Sequence, residues 1–256
     1  MTLRLKLRTE PPASILAAPL VPARLRGLSA HAVAKLQLRC GGEEVAVGDL
    51  FEVSPSGADE EELVLVGDLW RFNWIGARVA SGEIVVHGNV GSWAGAEMAG
   101  GVLRIFGDAG PRLGAAYPGA RAGMTGGEII VAGDAGEETG AGMRRGLVAV
   151  GGSTGSGSGL RMLAGTVIAL GGIGAEAGVG NKRGSLVSGR PLAPLPVYAF
   201  ATRFHPPALT LQLRRVRELG LIVDDALLRG TWSRWSGDRT ELSRGEILIF
   251  DEEEGR

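Results

Sequence analysis

One glycine-led pattern recurs at nearly fixed intervals through the middle of the chain. Copies begin at Gly82, Gly101, Gly127, Gly146, Gly165 and Gly184, at intervals of 19, 26, 19, 19 and 19 residues. A weaker copy begins near Glu61, 21 residues before Gly82. The interval of 26 is a 19-residue copy carrying a seven-residue insertion within "PRLGAAYPGARAGM". A fixed period in this range comes from stacked supersecondary units, each burying its apolar face against its neighbours.

The columns of the repeat say which unit is stacked. Two residues after each start stand Leu63, Ile84, Leu103, Ile129, Val148, Val167 and Leu186. Four after stand Leu65, Val86, Ile105, Val131, Val150 and Ala169, with Glu83, Arg104 and Glu128 among the residues between. Such alternation, rich in β-branched residues, is a strand with one face in a core. Six after each start comes glycine, from Gly67 to Gly171, followed by Asp68, Asn89, Asp108, Asp134 or Ser153. Gly91, Gly110, Gly136, Gly155 and Gly174 form a further column. Glycine and Asx residues in these places read as corners.

A last column holds Val79, Met98, Met124, Met143, Met162 and Asn181, so every methionine except the first residue falls in it. Like residues at a fixed period need a parallel, in-register stack. Helical repeats would need longer units. The expected fold is all-β: a right-handed parallel β-helix of about seven 19-residue coils over residues 61–189. The methionines are adaptable core filler. Residues 1–60, with "TEPPASILAAPLVP" and the strand-and-turn "VAVGDLFEVSPSG", are expected to cap the first coil. Residues 190–256 form a C-terminal extension with one short amphipathic helix, "ALTLQLRRVRELG", ending at Gly220.

Composition narrows the function classes. The 256 residues carry a net charge of −1, which argues against nucleic acid or an acidic membrane surface as the main partner. No apolar run reaches the length of a membrane span. The segment "MTLRLKLRTEPP" lacks the apolar core of a secretory signal, so the expected location is the cytoplasm. The single cysteine, Cys40, excludes intrachain disulfides, multi-cysteine zinc sites and cysteine-ligated iron–sulfur clusters. His31, His87 and His205 are scattered along the chain.

No catalytic motif stands by itself. "GSGSGL" at 155–160 has the wrong last residue for a dinucleotide fingerprint and lies at a corner, not between strand and helix. Glu97, Glu137, Glu138 and Glu176 pair in no obvious way. A hexapeptide-type acyltransferase would show six-residue subrepeats, and 19 is not a multiple of six. Trp74 and Trp93 share a column, where they either stack on each other or offer a platform for a sugar. The segment "GTWSRWSGDRTELSRGEILIF" reads as an exposed pair, Trp232 and Trp235, flanked by Arg234 and Arg239, with the composition of an interface anchor. An acidic tail, Asp251 to Glu254, follows.

"GNVGSWAGAEMAGG", "GDAGEETGAGMRRG" and "GAAYPGARAGMTGG" resemble the coils of the C subunit of formylmethanofuran dehydrogenases. The insertion with Tyr117 resembles that family's extended coil, and "WSRWSGDRTELSRGEILI" its closing segment. The likeness covers roughly residues 47–250. The same coil type is similar to the C-terminal domain of the large glutamate synthase subunit. The resemblance implies a non-catalytic scaffold that binds no cofactor or metal itself. It implies one of two assemblies. One is a bacterial formyltransferase/hydrolase complex, passing formyl from tetrahydromethanopterin to a methanofuran-like carrier and on to formate. The other is an archaeal dehydrogenase with its metals in partner subunits. The implied partners are amidohydrolase-like, formyltransferase and molybdopterin-type-fold subunits. A chain rich in Ala, Arg and Gly and poor in Lys and Ile favours the bacterial assembly. The carriers of this family bear glutamate-rich tails. Arg144 and Lys182 share one column and Arg145 and Arg183 the next, a basic edge that is either solvated or partner-facing, or touches such a tail. Tyr117 joins the arm residues as an interface candidate.

Overall fold

A computed structural model describes residues 2–56, 61–241 and 243–251. The N-terminal part holds β1 (Thr2–Leu7), β2 (Ile15–Leu16), α1 (Pro22–Leu25), α2 (Ala30–Ala34), β3 (Gln37–Cys40), β4 (Glu43–Ala46), α3 (Val47–Leu50) and β5 (Phe51–Ser56). The repeat region holds β6 (Glu62–Val66), β7 (Phe72–Asn73), β8 (Glu83–His87), β9 (Ala99–Ile105), β10 (Gly126–Val131), β11 (Leu147–Val150), β12 (Ser153–Thr154), β13 (Thr166–Ala169), β14 (Gly172–Ile173) and β15 (Ser185–Ser188). The C-terminal part holds β16 (Ala199–Phe204), α4 (Pro207–Glu218), α5 (Asp225–Arg229), β17 (Trp232–Gly237) and β18 (Gly245–Phe250). Strands dominate, as an all-β class requires.

The period becomes a ladder. β6, β8, β9, β10, β11, β13 and β15 pair in parallel, one copy of the repeat against the next. Equivalent residues stand side by side: Ile84 beside Leu103, Ile129 beside Val148, Val167 beside Leu186. A second wall carries parallel bridges from Leu69 through Val90, Ala109 and Ala135 to Thr154. Backbone hydrogen bonds join successive coils elsewhere too, such as Gly95 N to Ile75 O and Gly114 N to Ala94 O. The ladder also extends past the repeat at both ends. β1 pairs in parallel with β6, and β18 in parallel with β15. The alternation in "TLRLKL" points Leu3 and Leu5 into the core, as it does for the repeat strands.

The interior is the column of apolar rungs. Met98, Met124, Met143 and Met162 are all fully buried, and Val79 nearly so. Each fully buried side chain of this size contributes roughly 1.5–3 kcal/mol. Asn181 ends the methionine column. It is buried, and its amide both donates to Gly184 O (2.9 Å) and accepts from Gly184 N (2.7 Å). The Asx corners are hydrogen-bonded from coil to coil. Asn89 Oδ1 accepts from Asp108 N, Asp108 Oδ1 from Asp134 N, and Asp134 Oδ1 from Ser153 N, at 2.8, 2.8 and 2.7 Å. Their role is to satisfy the amide of the next corner.

A second core lies outside the ladder. Residues between the inward positions, Ile130, Leu147, Ala149, Ile168, Val187 and Leu248, pack under α4 and α5. α4 buries Leu209, Leu213 and Val216, a spacing of four and three residues that makes one helical stripe. It stops before Gly220, whose φ of +103° suits glycine. Arg215 pins the helix to the ladder through Glu128 at 2.8 Å. The expectation of one helix in the extension is corrected: α5 follows, capped by the Asp224 carboxylate accepting from Ala226 N. A capped single turn of five residues carries too little periodicity to be read from sequence.

Candidate functional site

The seven-residue insertion is held to the coil wall by aromatic rings. Trp74, Trp93 and Arg112 fall in one column with φ of 61°, 65° and 65°, where a later coil has Gly157. Trp74 and Trp93 stack at 6.4 Å, and Tyr117 reaches back from the insertion to both, at 6.2 and 5.6 Å. The Arg78 guanidinium lies 4.9 Å over Tyr117 and that of Arg112 4.8 Å over Trp93. Each arginine is also paired: Arg78 with Glu97 and Arg112 with Glu138, both at 2.8 Å. These hydrogen bonds hold both guanidiniums above their usual pKa. Burial pushes the Tyr117 phenol upward. Of the two readings of the tryptophan column, the structure shows the stack. One face of Trp93 is covered by Arg112, and Tyr117, itself under Arg78, stacks on both tryptophans.

Below the insertion runs an open groove of about 480 Å³, lined by Tyr117, Arg121, Leu160, Arg161, Lys182 and Glu241 among others. Of the four basic residues singled out from sequence, only Lys182 lines it, and it pairs with Glu241 at 3.6 Å. Arg144, Arg145 and Arg183 are exposed. The shared columns are real, but Leu163 and Ala164 occupy them in the intervening coil. Two coil steps separate Arg144 from Lys182, about 10 Å at ordinary strand spacing. Sequence reasoning missed Arg121 and Arg161 on the groove wall. Arg161 was findable: its φ of 51° belongs to the left-handed column that Glu97 occupies three coils earlier, before the insertion.

The tryptophan arm needs correction. Trp232 is not exposed: 1% of its surface is accessible, and its Nε1 donates to Leu227 O at 3.3 Å. It lies edge-on to Phe250 at 5.3 Å in the core beneath α4 and α5. Its burial follows from the helices folding back over the sheet, which the local charges do not reveal. Trp235 is half-buried, packs against the inner core and meets Phe200 edge-on at 5.7 Å. Arg234 pairs with Glu246 at 2.8 Å, and Arg239 is exposed. Residues 252–254 of the acidic tail lie outside the described residues.

Around Asn181 a polar plug closes the core. Tyr198, 4% exposed, donates its hydroxyl to Gly178 O at 2.9 Å, and burial pushes its pKa up to about 12. Asp238 is buried; burial opposes its ionisation, but hydrogen bonds from the Thr240 hydroxyl and amide and from Gly180 N outweigh this and hold its pKa low. Among the described residues, no group of three or more His, Cys, Asp or Glu could hold a metal ion. No helix among them is long and apolar enough to cross a membrane.

No protein-family model matches the chain. The C subunit of the tungsten-containing formylmethanofuran dehydrogenase 2 of Methanothermobacter wolfeii is 34% identical over 86 residues, 32% of each chain. The C subunit of the formyltransferase/hydrolase complex Fhc of Methylorubrum extorquens is 34% identical over 87 residues, 34% of this chain and 32% of that one. The chain thus spans about a third of the length of the curated relatives it matches. The likeness to a solved structure is longer. A chain of the crystal structure of the formyltransferase/hydrolase complex FhcABCD from Methylorubrum extorquens, in complex with methylofuran, superposes with a TM-score of 0.81. It is 31% identical, over 97% of this chain and 100% of that one.

Proposed function

The chain belongs to the family of C subunits of formylmethanofuran dehydrogenases and formyltransferase/hydrolase complexes, and we propose on that basis that it is the non-catalytic scaffold of a formyltransferase/hydrolase complex. That assembly moves a formyl group from tetrahydromethanopterin to a methanofuran-like carrier and hydrolyses it to formate. The observation that carries the reading is the whole-length likeness to a chain of such a complex, one that holds methylofuran.

In this reading residues 61–189 wind as a right-handed β-helix, residues 1–60 cap it, and residues 190–256 are the arm that meets partners. The partners are amidohydrolase-like, formyltransferase and molybdopterin-type-fold subunits in the cytoplasm. They carry the metals and the active sites, and this chain binds neither metal nor cofactor. Tyr117, Trp235, Arg234 and Arg239 contribute to contacts with them, Tyr117 by holding the insertion in place. The test is reconstitution. The complex assembled with this chain releases formate from the formylated carrier, and omitting the chain abolishes assembly. Formate release by the isolated chain would sink the scaffold reading.

The tungsten enzymes among the relatives favour a second reading, the C subunit of a formylmethanofuran dehydrogenase. Iron–sulfur clusters in the co-purified partners would decide for it. The exposed Arg144, Arg145 and Arg183, with no ion-pair partner among the described residues, support a further role beside Lys182 in guiding the carrier's acidic tail. Carrier retention unchanged by Arg144→Glu with Lys182→Glu would dismiss that role.

A further inference from the structure

We infer that β16 is a docking edge of this chain, and that it takes an extended, partly apolar segment of a neighbouring subunit as an added strand. The large sheet has two ends, β5 and β16, and every strand between them is paired on both sides. The two ends are not alike. β5 carries Pro55, which has no N–H to offer, a common way of blunting an edge. β16 reads "AFATRF" and has no proline. Its residues Phe200 to Arg203 are exposed. On the side away from β17, no backbone group of the described residues pairs with it, and the Thr202 hydroxyl donates to Arg203 O at 3.3 Å. Such a row of donors and acceptors selects one kind of ligand, another extended backbone.

A groove beneath the same edge supplies the side-chain half of the site. It encloses about 670 Å³ and is lined by Pro191, Leu192, Arg203, Ser233, Trp235 and Ile249 among others. The pairing of β16 with β17 slips between Phe200 and Thr202, so Ala201 is an extra residue. That bulge sets Phe200 opposite Trp235 and Arg203 opposite Ser233, putting both β16 side chains on the groove face. Without it they would point to opposite faces. Phe200 is 52% exposed, so an apolar wall runs from the groove to the open edge. A strand added at the usual spacing of about 4.8 Å would lay alternate side chains over Phe200 and the groove mouth. The occupant is therefore a segment with apolar residues at alternate positions. A second copy of this chain is the competing occupant.

The inference rests on the reading of the chain as a subunit, and the test separates the two. The complex is purified with its partners, and amide exchange over residues 199–204 is compared with that of the isolated chain. Docking slows exchange of the edge amides by about tenfold or more on assembly. Phe200→Lys then lowers recovery of the partner subunits, while Phe200→Leu keeps it. Melting of both variants checks that they fold, which the exposure of Phe200 should allow. Partners recovered with β16 exchanging as fast as in the isolated chain would overturn the edge assignment alone. Protection that grows with concentration in the isolated chain would overturn it in favour of a second copy. Recovery of no partner under any condition would overturn the subunit reading, and the edge with it.

Discussion

Replacing Gly88 by alanine tests whether close backbone stacking at the corners holds the ladder together. Gly88 has φ +146°, and a Cβ there would stand 1.9 Å from the carbonyl oxygen of Gly67 in the preceding coil. Cβ atoms essentially never come within 3.0 Å of such an atom, so the corner must open by roughly 1.1 Å. Two hydrogen bonds cross that gap, Gly67 N to His87 O at 3.1 Å and Leu69 N to Asn89 O at 2.9 Å. Stretched by that much, both pass the range of a useful bond. Their loss costs about 1 kcal/mol each. The left-handed backbone adds about 1–2 kcal/mol for a residue with a Cβ. The sum is about 3–4 kcal/mol, a large fraction of a typical folding free energy. For a chain of this size it lowers the melting temperature by roughly 6–16 °C. Thermal unfolding followed by circular dichroism reads it directly. Gly42→Ala is the control, because nothing lies within 4 Å of a Cβ there and no unusual φ is required. If Gly88→Ala melts within about 2 °C of Gly42→Ala, the stacking argument is wrong.

Three further outcomes follow from the geometry. The raised pKa of Tyr198 means that the folded chain holds the phenol proton more tightly than the unfolded chain. Its contribution is therefore whole below pH 10.0 and is lost as pH rises toward about 12. Tyr198→Phe should flatten that alkaline loss in urea titrations from neutral to high pH; an unchanged slope would count against the assignment. Asp134→Ala removes the acceptor for Ser153 N and should cost about 1 kcal/mol, while Asp134→Asn keeps most of it, as melting temperatures can check. Trp232→Ala should cost about 3–5 kcal/mol in urea unfolding, because its ring is fully buried under the helices. Half-buried Trp235 should cost distinctly less, and equal losses would refute the corrected placement of Trp232.

The ladder was legible because each rung meets its neighbour one period away, so the columns of the sequence are also columns in space. Ile84, Leu103 and Ile129 could be aligned on paper and stand aligned in the sheet. The glycine and Asx corners were legible for the same reason. What escaped the reading lies off that period. β1 meets β6 across about sixty residues, and no repeat announces the pairing. Trp232 sits among serines and arginines, and its burial depends on α4 and α5 returning over a face whose partners lie far along the chain. The candidate site was half-legible in the same way. Lys182 was found through its column, whereas Arg121 sits in the insertion, which breaks the register.

The parallel ladder runs from β1 to β18 through nine rungs, eight steps of about 4.8 Å or roughly 40 Å in all. Inter-coil hydrogen bonds on more than one wall make such a stack stiff along its axis. The number of repeat copies therefore sets the length of the ladder and the distance between its two ends. Excising one whole copy, residues 146–164, would leave every remaining column in register. It would also draw the two ends together by a single strand spacing, a graduated change in span that no point substitution can make.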